Sequence, residues 1–137
     1  MRTKFLVVAA FALAAPAFAH AQAASTFVKA SPDSCWQSAK EYVKQNATGF
    51  SADDSQHLLT VPVLELRSGG GELSTAIRTV PDKNKQGEEG CSIVVNQEGN
   101  APVGSFIQRT NTKFSGDNTE VANHIAAFVA AKEKSRK

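Results

Sequence analysis

Two cysteines, Cys35 and Cys91, lie 56 positions apart in this chain. In an oxidising compartment a lone pair joins as one intramolecular bridge, and no other feature restricts a small fold so strongly. The compartment is read from the amino end. Arg2 and Lys4 form a short positive region, and Phe5 to Ala15 is an unbroken apolar run. That run is too short for a membrane-spanning helix, which needs about 20 apolar residues. Pro16 breaks it, and small-residue sites follow at Ala17-Phe18-Ala19, Ala19-His20-Ala21 and Ala21-Gln22-Ala23. This order of charge, apolar core and A-x-A sites is that of a cleavable secretory signal. Cleavage is expected after Ala19, Ala21 or Ala23, without the nearby cysteine that lipid attachment requires. The expected organisation is a signal peptide over residues 1–23 and one domain over 24–137, in the periplasm or secreted.

Both cysteines belong to the exported part. Metal ligation or a redox pair are the rival readings, but there is no C-x-x-C, and His57 and His124 stand apart from both cysteines in sequence. A structural disulfide is therefore expected. By the chain-entropy model, closing a loop of this length contributes about 4 kcal/mol.

Removing the signal also removes the apparent basicity. The chain has 15 Lys+Arg and 13 Asp+Glu. Residues 1–23 hold Arg2 and Lys4 and no acid, so the exported part is nearly balanced. A nucleic-acid partner would need a net basic face, and none is read here. The cations Lys132, Lys134, Arg136 and Lys137 at the carboxyl end read as a solvated helix terminus that complements the helix dipole.

Ser31-Pro32-Asp33 opens the first helix, with Ser31 as cap and Pro32 in the first turn. Cys35, Trp36, Ala39, Tyr42 and Val43 fall on one stripe at helical spacing, so a helix over about 32–47 buries Cys35. Residues 57–66 and Glu72 to Val80 read as strands joined by the Ser68-Gly69-Gly70-Gly71 turn, with Pro62 marking an edge or a bulge. Pro81 to Gly90 reads as a mobile polar loop. Cys91 to Asn96 reads as a strand with Cys91, Ile93 and Val95 on one face. Gly99 to Pro102 reads as a turn and Val103 to Arg109 as a further strand. Thr26 to Lys29 suggests a short leading strand. Asp117-Asn118-Thr119-Glu120 opens a second helix over about 118–134, carried by Val121, Ile125, Phe128 and Val129. The expected fold is α+β: an N-terminal helix, an antiparallel sheet of three or four strands, a C-terminal helix packed on the sheet, and one disulfide.

Chemistry-bearing motifs are sparse. Gly69-Gly70-Gly71 joins strand to strand and so is no phosphate cradle, and no nucleophile elbow, zinc pair or Ca²⁺ loop is present. His57 follows Asp53 and Asp54, a grouping that would serve acid/base or metal chemistry, yet Ser51 to Gln56 also reads as a surface turn, and the turn is favoured. His124 flanks the apolar stripe of the second helix and reads as a packing residue. Trp36 reads as core around the bridge. Asn46-Ala47-Thr48 matches a glycosylation sequon, a pattern common by chance.

Ser31-Pro32-Asp33-x-x-Trp36, Phe50 and Asp53-Asp54 together resemble the opening of helix-grip domains, such as START-like folds and the small repeat domains of outer-membrane assembly lipoproteins. The likeness covers roughly residues 28–66, and the chain as a whole resembles small exported proteins of Gram-negative bacteria. The resemblance implies a ligand or partner groove between the long helix and the sheet, lined here by Trp36, Tyr42 and Phe128. It carries no catalytic residue. The expectation is a non-enzymatic exported binding or interaction protein, acting on an unknown protein or small apolar ligand. It is expected to be monomeric, without cofactor, metal, nucleic acid or lasting membrane anchor. An inhibitor of an extracellular hydrolase is the alternative, with the Ser68 to Glu72 turn and the Pro81 to Gly90 loop as the segments it would insert.

Overall fold

The computed structural model describes residues 23–66, 72–100 and 107–136. Residues 1–22 of the expected signal peptide, with the sites at Ala19 and Ala21, and the Ser68–Gly71 turn lie outside the described residues. Strand β1 (Ala24–Val28) leads into helix α1 (Pro32–Asn46), followed by β2 (Ser51–Asp53), β3 (Leu58–Leu66), β4 (Glu72–Lys83), β5 (Glu89–Asn100) and β6 (Ile107–Arg109). A single 3-10 turn (Thr112–Phe114) then precedes helix α2 (Asn118–Ser135). The fold is α+β, and the strands form one antiparallel sheet in the order β1-β5-β4-β3-β2, with β6 also paired to β3.

The capping residues read from the sequence set both helix starts. The Ser31 hydroxyl accepts from the Ser34 amide at 3.2 Å, and the Asp117 carboxylate from the Thr119 amide at 3.3 Å. Cys35, Trp36, Ala39 and Val43 of α1 are 0–2% exposed, as are Ile125 and Val129 of α2. They form one core with Leu59, Val61, Ile77, Ile93 and Val95, so both helices cover the same face of the sheet. Cys35 reaches Cys91 of β5 from the buried side of α1, and the two are joined by a disulfide with Cα atoms 6.5 Å apart.

The sheet has six strands rather than three or four. The additional strand at its far side, β2, lies where the sequence suggested only a turn: Ser51 to Asp53 pair with Leu58 to Thr60 before the chain turns at Asp53 to His57. The Pro81 to Gly90 segment is mostly not a loop either. The β4–β5 ladder runs on through Pro81↔Cys91 and Asp82↔Gly90 to Lys83↔Glu89, leaving only Asn84 to Glu88 as the tip. Gly99 also belongs to β5, opposite Leu73, rather than to a turn, and the last strand begins at Ile107, residues 101–106 lying outside the description.

Pro62 sits at a bulge, as its missing N–H suggested, but β3 is not an edge strand. β2 pairs with its first part and β6 with its last, while the register on β4 shifts between Pro62 and Leu64. Pro62 thus falls in the gap between β2 and β6, where no strand needs its N–H. Asn111 fills that gap. Its side chain donates to the Pro62 carbonyl at 2.7 Å and to the Thr48 carbonyl at 3.2 Å, and its Oδ1 accepts from the Thr48 amide at 2.6 Å. To do so Asn111 adopts a left-handed backbone (φ 49°), which asparagine tolerates better than most residues.

The two helices run antiparallel, since Arg136 meets Ser38, Lys132 meets Glu41 and Phe128 meets Tyr42. Two cations of the basic carboxyl end reach α1, while Lys134 and Arg136 remain exposed. Lys132 pairs with Glu41 at 2.8 Å, and Arg136 donates to the Ser38 hydroxyl at 3.4 Å.

Candidate functional site

The sequence grouped Trp36, Tyr42 and Phe128 into one groove; the fold separates Trp36 from the other two. Six positions along an α-helix turn the direction by roughly 120°, so Trp36 and Tyr42 border opposite sides of the buried stripe. Trp36, 2% exposed, lies at the β2–β3 end. Its indole stacks on His57, with ring centroids 5.0 Å apart and planes 11° apart, and its N–H donates to Asp54 Oδ1 at 2.8 Å. Lys40 shares the same carboxylate oxygen at 2.7 Å and stands over the indole. The hydrogen bonds from Lys40 and then Trp36 hold the Asp54 carboxyl below its ordinary range, and the nearby His57 adds to this. Asp53 is occupied locally. It accepts from the Ser55 hydroxyl at 2.7 Å and from the Ser55 and Gln56 amides, and these bonds, the hydroxyl foremost, lower its pKa.

His57, with φ 51°, is therefore the last residue of an aspartate-organised turn that caps the tryptophan. Among the described residues no hydrogen bond joins it to either aspartate, and no group of three His, Cys, Asp or Glu side chains is gathered as metal ligands. This cluster anchors the α1–β2–β3 corner over the core.

A different arrangement occurs where α1 ends and α2 begins. Tyr42 packs edge-to-face against Phe128 at 5.4 Å and Phe114 at 6.0 Å. Phe114 is fully buried, and its carbonyl accepts from the Thr75 hydroxyl at 2.6 Å, which fixes the 3-10 turn on the sheet. The phenol of Tyr42 then lines an open cleft of about 400 Å³, together with Thr112, Lys113, Gly116, Glu120 and His124. Burial pushes the Tyr42 pKa above its ordinary value, and among the described residues its hydroxyl makes no hydrogen bond. Lys113 is steadied from outside the cleft, donating to Asn46 Oδ1 at 2.9 Å, while Asn46 Nδ2 donates to the Tyr42 carbonyl. The sequon asparagine thus has both ends of its amide engaged.

The cleft places a rigid aromatic wall next to a cation, a carboxylate and an imidazole. Such a surface can hold a small molecule or peptide side chain that has one apolar part and polar groups of either sign. His124 was read from sequence as a packing residue on the apolar stripe; it lies exposed on this rim. Lys113 and Thr112 were not singled out, and Glu120 only as part of a helix start, because one 3-10 turn and the exposed side of a helix leave no periodic signal. The face of α1 toward the sheet, by contrast, is filled by Cys35, Ala39 and Val43, each with zero exposure.

The disulfide points to a non-reducing, extracytoplasmic environment. Among the described residues no helix is long and apolar enough to cross a membrane. No protein-family model matches this chain, and no curated protein matches it.

Proposed function

We propose that this chain is a non-enzymatic binding protein, exported to the periplasm or beyond, whose ligand seats in the Tyr42 cleft. The observation that carries the proposal is the open cleft at the ends of the helices, where the Tyr42 ring, held by two others, stands beside Lys113, Glu120 and His124. The half-buried Tyr42 ring supplies an apolar surface and its neighbours supply charged groups of both signs, a composition that suits a small ligand. Export is supported by the amino-terminal charge and apolar pattern together with the oxidised cysteines. The helix-grip resemblance supports a ligand-binding reading, but we place the ligand at the end of the helices because the helix–sheet interface is filled by side chains. Native mass spectrometry of the disulfide-bonded protein from the exported fraction provides the test. A retained adduct that is lost in Tyr42→Ala and weakened in Tyr42→Phe is expected. An adduct indifferent to both variants, or turnover abolished by His57→Ala or His124→Ala, would overturn the proposal.

A second reading, inhibition of an extracellular hydrolase, is favoured by the order of the β4–β5 tip. Asn84 Oδ1 accepts from the Gln86 and Glu88 amides at 3.0 and 2.9 Å, and Lys29 clamps Glu88 at 2.7 Å. A projecting tip held this firmly loses little entropy on insertion into a cleft. Titration against lysozyme and secreted serine proteases, with Asn84→Ala as the control, separates this reading from the first.

A further inference from the structure

The two described helices pack on one face of the sheet, and side-chain alternation assigns the residues of its second face. Leu59, Val61, Ile77, Ile93 and Val95 face the core, so Leu58, Thr60, Ala76, Arg78, Val80, Val94 and Asn96 face the other way. Arg78 occupies the middle of this face. Directly across from it stand Leu58 on β3 and Val94 on β5, and Ala76 and Val80 flank it along β4. A cation in a sheet interior is ordinarily matched by a cross-strand acid. Here all four neighbours are apolar, and among the described residues Arg78 has no hydrogen bond or ion pair. Of the two acids on the same strand, Asp82 is occupied by the Ser92 hydroxyl and the Lys83 amide, and Glu72, six positions from Arg78, accepts from the Ser74 hydroxyl.

The floor around Arg78 is closely packed. Ala76 is 0% and Ser92 3% exposed on this face, where neither described helix packs, while Val80 at 37% is the exposed large apolar side chain among the described residues. A guanidinium ringed by apolar side chains on a closely packed surface has the composition of a protein-interface anchor.

We infer that this second sheet face docks a polypeptide partner whose acidic side chain, set among apolar ones, pairs with Arg78. The charge decides the class of partner. An anionic membrane or a nucleic acid is held by several cations in concert, whereas Arg78 is the one cation among the described residues of this central block. A carboxylate pairs with a guanidinium through two parallel hydrogen bonds, and the surrounding Leu58, Val80 and Val94 shield that pair from water. The surface lies across the sheet from the Tyr42 cleft and stands or fails independently of it.

Selection of random 12-residue peptides displayed on phage, against the oxidised protein, tests the inference. Enriched peptides should carry Asp or Glu between apolar residues and shift the amide resonances of Leu58, Val80 and Val94. They should bind Arg78→Gln at least about tenfold more weakly, the loss expected for one charge-assisted contact. Arg78→Lys should recover part of the binding. Thr60→Glu, which leaves Arg78 in place and sets diagonal to it a negative charge that competes with and repels the peptide's acid, should weaken the same peptides. Three results would overturn the inference: peptides without acidic bias or indifferent to Arg78→Gln; a dimer in sedimentation that Arg78→Glu dissociates, making a second copy the occupant; or phosphatidylglycerol vesicles binding through Arg78.

Discussion

Single residues in this protein act mainly by completing another group's hydrogen bonding. Asp54 does so for the indole of Trp36, which would otherwise bury an unsatisfied N–H at a cost of about 1–3 kcal/mol. Because its folded-state pKa is depressed, Asp54 supports the fold fully above the ordinary carboxylate range. That support is lost as pH falls below about 4, through the lowered value. Trp36 is the sole tryptophan, so its emission reports the event directly. An acid titration of the wild type should show an emission change below about pH 4, and Asp54→Asn, which keeps the acceptor oxygen, should flatten it; identical curves would sink the assignment. Gly90 is a second case. A Cβ there would collide with the Val28 carbonyl and the Phe27 ring, which lies across it from β1. Gly90→Ala is expected to lose about 1–3 kcal/mol by overpacking, read from urea denaturation.

At the level of elements, the split edge of the sheet depends on a side chain in place of a strand. Asn111 links the end of α1 to β3 where β2 stops short of β6, so removing it should loosen that corner. Asn111→Gly keeps the left-handed backbone accessible and removes only the amide, which isolates the bridge from the strain that Asn111→Ala adds. Hydrogen exchange at Thr48 should speed up in both variants, with stability falling by about 1–3 kcal/mol and further in Asn111→Ala. Unchanged exchange would mean that the bridge is incidental. Helices were legible from the sequence because a cap and a 3.6-residue stripe coincide at Ser31 to Val43 and again at Asp117 to Val129. β2 was not, because Ser51-Ala52-Asp53 is short, polar and exposed, and its strand character comes from pairing with Leu58 to Thr60. Pro81 and Gly90 read as loop residues for the same reason: the long β4–β5 ladder overrides their local preference. Of the candidate cleft Tyr42, His124 and, as part of a helix start, Glu120 drew attention beforehand; Lys113 did not, since the 3-10 turn that brings it to them is fixed by the Thr75–Phe114 contact, 39 positions apart in sequence.

For the molecule as a whole, the disulfide is a covalent tie between the first helix and β5 of the sheet. Cys35 and Cys91 are 0% and 1% exposed, so a reductant reaches the bond only when the fold opens. Cys35→Ser with Cys91→Ser should cost about 2–5 kcal/mol, measured by denaturation under oxidising conditions. Wild type unfolded and refolded with reductant should match the double variant; equal stability of all three would show that the bridge is dispensable. The strand order carries a separate consequence. β1, at the start of the domain, pairs with β5, Ala24 meeting Val95, and its other face receives α2, where the Thr26 hydroxyl bonds Asn123. As the chain is made from its amino end, the leading strand waits for β5 and for α2, so the sheet is completed only after the carboxyl half of the domain has emerged.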